Sequence, residues 1–157
     1  MARWNGQTFG EHAFSVAQHS VAVEEIMAHL QPDLDPRWRL AGLLHDAPEY
    51  VIGDMISPFK AALGLDYKAF EAKLESAIHL RFGLPAHMPA AVKGVIKRAD
   101  IICAYFEATQ LAGFTQAEAK RYFGAPPRGM AFKLTPQSTG AVQEAFLKRF
   151  RSLIEPA

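Results

Sequence analysis

One histidine and three carboxylates lie within the segment LLHDAPEYVIGD, directly after an apolar run. His45 and Asp46 follow two leucines, and Glu49 and Asp54 come on either side of a short apolar stretch beyond Pro48. Charged groups beside a core are costly unless they are paired or hold a metal ion. The segment therefore predicts partners elsewhere in the chain.

Two further candidate ligands lie in other apolar stretches, His19 in SVAQHSVAV and Asp100 in IKRADIICAYFEA. A lone helical histidine is usually a core or surface residue, and an HD pair alone is a weak signal. Jointly with His45 and Asp46, however, the set suits a divalent cation such as Mn²⁺, Fe²⁺, Co²⁺, Ni²⁺ or Zn²⁺. Four protein ligands on an octahedral ion would leave two positions for a water and a substrate oxygen, as metal-assisted hydrolysis requires.

The elements that must position these residues are helical, because apolar residues recur at three- and four-residue spacings. The predicted helices cover residues 12–30, 36–47, 67–82, 89–111, 115–123 and 140–154. A Gly- and Pro-rich segment, Gly124–Pro136, must be a loop. No period-two pattern competes, so we expect residues 1–157 to form a single all-α domain, a bundle of about six helices with one long loop.

Two of the helix starts carry local capping signals. Asp35 stands directly before Pro36, an N-cap followed by proline at the first helical position. Thr115 and Glu118 have the spacing of a capping box. Both predict where a helix begins.

Composition narrows the class of protein. The chain has 157 residues, a net charge of +1, half hydrophobic residues and a single cysteine, Cys103. The balanced charge predicts no nucleic-acid surface. The lone cysteine excludes an internal disulfide, and no stretch resembles a signal peptide or membrane span. We therefore expect a cytoplasmic protein without nucleic-acid or membrane partners.

These motifs together resemble the HD-domain metal-dependent phosphohydrolase superfamily. The superfamily's order of His, then HD, then Asp falls on the four candidate ligands named above. The resemblance implies a helical bundle that holds one divalent metal between helices. It is closest to the compact bacterial 5′-deoxynucleotidase-like branch, which adds a carboxylate three residues after the HD aspartate, here Glu49. The branch also adds an aspartate in a Gly-Asp segment, here Asp54, and an Arg-Trp pair, here Arg3 and Trp4.

The resemblance implies catalytic roles for the two added carboxylates. Glu49 would carry a proton to or from the water or the leaving group, and its alternative is a solvated carboxylate at a helix end. Asp54 would act as a general acid/base or position the attacking water, and its alternative is a helix N-cap.

Three residues are candidates for binding substrate. Arg3 would hold a phosphate oxygen, which its guanidinium geometry suits. Trp4 would wall a nucleoside pocket and favour deoxyribose, or else anchor the N-terminal segment in the core. Lys60 is a second phosphate candidate, although such a lysine is more often solvated.

Three functions fit this reading. The first is a 5′-deoxynucleotidase that converts a deoxyribonucleoside monophosphate to nucleoside and phosphate. The second shares the metal site but removes triphosphate from a dNTP, with Mg²⁺ as a further candidate ion. Pro48 stands where the resemblance predicts a small residue, so the substrate stays open between the two. The third is a non-catalytic nucleotide-binding module. By resemblance alone we expect a homo-oligomer, a dimer or higher.

Overall fold

Seven α-helices and one short 3-10 helix build the part of the chain that the computed structural model describes, residues 1–53, 62 and 65–155. After the 3-10 helix Trp4–Gly6 come α1 Val16–Leu30, α2 Pro36–Leu43, α3 Glu49–Ile52, α4 Leu65–Arg81, α5 Ala90–Gln110, α6 Gln116–Phe123 and α7 Thr139–Ile154. Within the described residues no strand forms, and one isolated bridge joins Ala2 to Ser15. The all-α prediction is confirmed.

The expected second helix ends earlier than the sequence predicted. α2 stops at Leu43, and His45 and Asp46 lie in turns between α2 and the four-residue helix α3. Pro48 explains the break, because proline restricts the residue before it and cannot continue a helix ladder. Glu49 begins a separate short helix, which is absent from the predicted set, as is the 3-10 helix Trp4–Gly6.

The capping signals in the sequence fall where helices begin. Asp35 accepts a hydrogen bond from the Arg37 backbone N–H at 2.8 Å, with Pro36 as the first helical residue. Thr115 and Glu118 form the reciprocal capping box of α6. α1 begins at Val16 rather than four residues earlier, because Ser15 is its N-cap and the residues before it are extended or bent.

Helix α1 is central and packs against α5, α2 and α7. The cluster between α1 and α5 contains Ala22, Val23, Ile26, Met27, Ala99, Ile102, Cys103 and Phe106. A second cluster joins α2 to α7 and to the residues around the start of α5: Leu40, Ala41, Leu43, Leu44, Leu84, Met88, Val92 and Leu153. The first cluster begins at Ala22, one helical turn after His19, and the second includes Leu44, directly before His45.

Gly42 is required where α2 meets α1. A Cβ atom at this position would overlap the sulfur of Met27, whose side chain is wholly buried. The Gly42 carbonyl also accepts a hydrogen bond from His45 Nδ1 at 2.8 Å. One glycine therefore sets both the approach of the two helices and the orientation of His45.

The last helix and the long loop complete the fold around α1. On α7, Leu153 is buried while Phe146 and Phe150 are half-buried against the second cluster, so this face packs into the core. Two glutamines fix the loop. Gln18 donates to the Thr135 carbonyl at 2.6 Å and accepts from Gln137 N–H, and Gln110 binds Phe132 and Leu134 in the same two-way manner.

A buried carboxylate joins three helices away from the HD pair. Glu24 on α1 is fully buried and pairs with Arg39 on α2 and Arg149 on α7. Arg149 also reaches the more exposed Glu25 at 2.7 Å. None of the described helices is long and apolar enough to cross a membrane.

Candidate metal centre

Three elements bring the four predicted ligand side chains together. α1 supplies His19, the turn after α2 supplies His45 and Asp46, and α5 supplies Asp100. The Nε2 atoms of the two histidines are 3.3 Å apart. From His19 Nε2, the nearest carboxylate oxygens of Asp46 and Asp100 lie at 3.4 and 3.5 Å. Side chains separated by up to 81 residues (19 to 100) thus point at one small volume.

The site has a dry inner side and an open outer side. The His19 side chain is completely buried, whereas those of Asp46 and Asp100 are 19% and 23% exposed. An ion or substrate can therefore approach from the carboxylate side, while His19 is fixed from behind.

A carboxylate that the sequence analysis did not assign lies behind His19. Glu107 is fully buried on α5, and its Oε1 lies 2.5 Å from His19 Nδ1. The same oxygen accepts from the Cys103 thiol at 3.3 Å. Because His19 Nδ1–H donates to Glu107, Nε2 is the atom turned toward Asp46 and Asp100. A histidine that ligates a metal is held in this way by a carboxylate or carbonyl behind it.

His45 has the equivalent support from the backbone. Its Nδ1–H donates to the Gly42 carbonyl, so its Nε2 also faces the shared volume. The two imidazoles therefore present the same atom, Nε2, to the site. Neutral imidazole nitrogens and carboxylate oxygens together make a donor set for a divalent cation of intermediate softness.

The pKa values reflect this concentration of negative charge. Burial alone would lower the pKa of His19, but the Glu107 carboxylate raises it well above 6.5. Burial would raise the pKa of Glu107, yet His19, Arg3 and Trp4 bring it down to about 2. The pKa of Asp100 also lies below its ordinary value, because hydrogen bonding and charge from His19 outweigh its burial. Ionised carboxylates therefore lie on both sides of His19, which suits a nearby cation.

The His45 pKa moves in the opposite direction. Burial lowers it, and the nearby His19 adds to the effect despite the attraction of Asp46. A neutral His45 has an unprotonated Nε2, the form that can coordinate a metal ion.

Arg3 and Trp4 reach the site from the other side of Glu107. The Trp4 indole N–H donates to Glu107 Oε2 at 2.7 Å, and the Arg3 guanidinium approaches the same oxygen at 3.3 Å. Arg3 Nη1 is also 3.5 Å from Asp46 Oδ2. The structure thus places both residues beside the candidate ligands, with Glu107 between them and His19.

Trp4 also packs against aromatic rings of the bundle. Its ring makes edge contacts with Phe114 and Phe123, with centroids 5.7 and 6.3 Å apart. The backbone of Trp4 and Asn5 has φ of 54° and 52°, a left-handed conformation that is uncommon for residues other than glycine. Trp4 is half-buried, so it anchors the N-terminal segment and still borders the site.

A cavity of about 200 Å³ opens beside His45 and Asp46, between α3 and α4. Glu49 lines it and is buried, so its alternative as a solvated helix-end carboxylate does not hold. Lys68 on α4 also lines the cavity and is a cationic residue that the sequence analysis did not select. Two more glutamates, Glu71 and Glu75, lie in the same wall.

Two predicted site residues, Asp54 and Lys60, lie outside the described residues. Their roles stay predictions.

The missed residue Glu107 had one signal in the sequence. It lies seven residues after Asp100 in the apolar run IICAYFEA, so both fall on one face of a helix. A carboxylate on the apolar side of a helix needs a buried partner. That partner, His19 on another helix, is visible only once the helices are packed.

Comparison with known proteins gives one family and several relatives. The profile of the 5′-deoxynucleotidase YfbR-like family matches residues 1–125. An uncharacterized protein of Rhodobacter capsulatus is 53% identical over 158 residues, covering 98% of this chain and 80% of that protein. The uncharacterized protein YfdR of Escherichia coli is 30% identical over 144 residues, covering 92% and 74%. A 5′-deoxynucleotidase of Pasteurella multocida is 31% identical over 123 residues, covering 65% and 60%.

Proposed function

We propose, because this chain belongs to the 5′-deoxynucleotidase YfbR-like family, that it hydrolyses deoxyribonucleoside 5′-monophosphates to deoxynucleoside and phosphate. Family membership makes the protein a hydrolase of the nucleotidase type within the HD superfamily, with a divalent metal and a nucleotide substrate. The preference for monophosphates and for deoxyribose, and the roles of individual residues, are the proposal.

The observation that carries the proposal is the convergence of donor atoms from His19, His45 and Asp100 on one volume, with an Asp46 oxygen 3.4 Å from His19 Nε2. His19, His45, Asp46 and Asp100 would hold the ion, which we expect to be Co²⁺, Mn²⁺, Zn²⁺, Fe²⁺ or Ni²⁺. When bound, such an ion supplies Lewis-acid chemistry: it offsets negative charge on the phosphate and makes water a better nucleophile.

The remaining residues have proposed roles in binding and in proton transfer. Arg3, 3.5 Å from Asp46, is close enough to the ligand set to bind a phosphate oxygen beside it. Trp4 would border the deoxyribose, where a 2′-hydroxyl would need extra room. Lys60 keeps its proposed contact to phosphate, and Lys68 adds positive charge in the cavity wall.

Glu49 and Asp54 would manage the protons of the reaction. Water adds to phosphorus as the bond between phosphorus and the 5′ oxygen breaks, and a proton must reach that leaving oxygen. Glu49 is buried beside Asp46 in the cavity, a position from which a carboxylate can take a proton from water and return it to the leaving group. Asp54 follows in the same segment.

The nearest alternative shares the metal site. A triphosphate substrate would place two more phosphoryl groups beside the same donor side chains, so a dNTP triphosphohydrolase is the second candidate. A non-catalytic nucleotide-binding module is the third candidate. The buried Glu49 beside the proposed ligands is an argument against this candidate.

One assay separates the three candidates. Purified protein is stripped of metal, supplied in turn with Co²⁺, Mn²⁺, Zn²⁺ or Mg²⁺, and offered all ribo- and deoxyribonucleoside mono- and triphosphates. We expect orthophosphate from dNMPs and loss of at least about 100-fold in kcat for Glu49→Gln, the range of general acid–base catalysis. Tripolyphosphate from dNTPs would favour the second candidate, and nucleotide binding without hydrolysis would favour the third.

A second variant, Asp46→Ala, tests the proposed metal site. Removal of a proposed ligand should abolish both metal binding and hydrolysis. Activity that survives Asp46→Ala would refute the proposed mechanism.

A further inference from the structure

Glu107 accepts hydrogen bonds from two separate parts of the molecule. Its Oε1 accepts from His19 Nδ1 at 2.5 Å and from the Cys103 thiol at 3.3 Å. Its Oε2 accepts from the Trp4 indole N–H at 2.7 Å and from the Arg3 guanidinium at 3.3 Å. One oxygen therefore serves a proposed ligand, and the other serves the N-terminal arm, which we define as residues 1–15.

The N-terminal arm is held both by its own backbone contacts and by contacts with the helices. Within the arm, Arg3 N–H donates to the carbonyl of the fully buried Phe14 at 2.8 Å, and Phe9 N–H donates outside it, to the Leu111 carbonyl, at 2.8 Å. Between these contacts the backbone turns through Trp4 and Asn5, both with positive φ. Consecutive left-handed residues other than glycine persist only where surrounding contacts hold them. The hydrogen bond from Trp4 to Glu107 and the ring contacts of Trp4 are such contacts.

We propose that Glu107 is a positioning residue that couples the seating of the N-terminal arm to the metal affinity of His19. The inference rests on the proposed metal site and goes beyond it, because it assigns the affinity partly to residues that touch no ion. Arg3 and Trp4, which face the substrate in the proposed function, would then be in place most fully when the ion is bound.

The physical basis is the cost of an unsatisfied buried carboxylate. Glu107 has no exposed surface, so each of its oxygens must receive its hydrogen bonds from protein groups. If the arm lifts away, Oε2 loses its Trp4 and Arg3 donors, and the carboxylate can turn to recover them from other groups. Any such turn disturbs the short bond to His19 Nδ1 that orients Nε2.

Coupling of this kind is reciprocal. If a seated arm raises the affinity for metal, bound metal must stabilise the seated arm by the same factor. The two directions can be measured by independent methods, one on the ion and one on the arm.

The first measurement is metal affinity, made by titration calorimetry with Mn²⁺ or Co²⁺. Glu107→Gln keeps the side-chain shape but cannot accept at both ends, and we expect roughly 10- to 100-fold weaker binding. Trp4→Phe keeps an aromatic ring and removes only the N–H donor, and we expect a smaller loss of a few-fold. The matched control is Glu24→Gln, an equally buried carboxylate outside the site, which should bind metal as the unaltered protein does.

The second measurement is hydrogen exchange of residues 1–15 with and without metal, followed by mass spectrometry. Added metal should slow exchange in the arm of the unaltered protein. In Glu107→Gln, metal at saturating concentration should no longer change hydrogen exchange in the arm, because the residue that couples the arm to His19 has been replaced.

The outcomes separate this inference from the proposed function. Metal binding by the unaltered protein with equal affinity in Glu107→Gln and Trp4→Phe would overturn the coupling and leave the metal site standing. A loss of affinity in Glu24→Gln as large as that in Glu107→Gln would also overturn it, because general loosening would then explain the effect. Failure of the unaltered protein to bind any of these ions would overturn both.

Discussion

Glu24 and Glu107 are both fully buried carboxylates, yet their surroundings differ in kind. Glu24 lies between two arginines from α2 and α7, whose positive charge is permanent. Glu107 faces one histidine, one thiol, one indole and one arginine. Both counter-charges of Glu24 are therefore fixed, while Glu107 faces one fixed charge, Arg3, and one histidine whose charge depends on what it binds.

This difference separates a structural carboxylate from one that serves a site. A carboxylate between arginines is satisfied by the fold alone, and removal of one partner leaves a buried charge unpaired. A carboxylate that accepts a hydrogen bond from one nitrogen of a histidine fixes the orientation of the ring and raises the basicity of the other nitrogen. We therefore expect that substitution of Glu24 lowers the free energy of unfolding, and that substitution of Glu107 lowers the affinity for metal.

The largest expected effect on stability tests the Glu24 side of the comparison. Glu24→Ala leaves Arg39 and Arg149 without their buried partner and should lower the free energy of unfolding by about 3–5 kcal/mol. Urea denaturation of the variant measures it. The control is Glu25→Ala, which removes a 41%-exposed partner of Arg149 and should cost less than about 1 kcal/mol. Equal losses in the two variants would refute the structural role of Glu24.

The reactivity of the Cys103 thiol tests the packing around Glu107. Its burial raises its pKa from 9.0 to about 11, so below pH 9 the reactive thiolate is roughly 100-fold scarcer than in an ordinary thiol. Alkylation by iodoacetamide at pH 8 should therefore be at least about 100-fold slower in the native protein than in urea. Fast alkylation of the native protein would contradict the packing described around Glu107.

Gly42 affects both the packing of α2 against α1 and the orientation of His45. Gly42→Ala would force a methyl group against Met27 and should lower the free energy of unfolding by about 1–3 kcal/mol. Because the same residue orients His45, metal affinity should fall as well. Gly94→Ala is the control: it lies on an exposed part of α5 with open space around it, and should stabilise the protein by about 0.4–1 kcal/mol. A Gly42→Ala protein as stable as the unaltered one would refute the close helix approach.

The smallest expected effect lies outside both carboxylate regions. Thr115→Ala removes the N-cap of α6 and should cost about 1 kcal/mol in a thermal unfolding measurement. Metal affinity should stay unchanged, since the cap touches no proposed ligand. An altered affinity would show that α6, which carries Phe123 beside Trp4, takes part in the coupling.

The sequence predicted the helices because their signals are local, and it indicated the four candidate ligands because their order along the chain matches a known superfamily. Apolar spacing and capping residues can be recognised within a few consecutive residues. The motif around His45 matches the pattern of the HD superfamily. The pairing of Glu24 with Arg149 spans 125 residues and depends on which faces of α1 and α7 meet. Glu107 was missed for the same reason: its partner, His19, is 88 residues away. Turn geometry at Pro48 likewise separated Glu49 from α2.

The two glutamine contacts with the long loop divide that loop into parts of unequal tolerance to insertion. Phe132 to Gln137 is tied to α1 and α5 by Gln18 and Gln110, so an inserted residue there would break paired backbone contacts. Gly124 to Gly129 makes none of these contacts and includes two positive-φ glycines. A peptide tag or fluorescent label should therefore be accepted in the first half of the loop and should disrupt packing near His19 in the second.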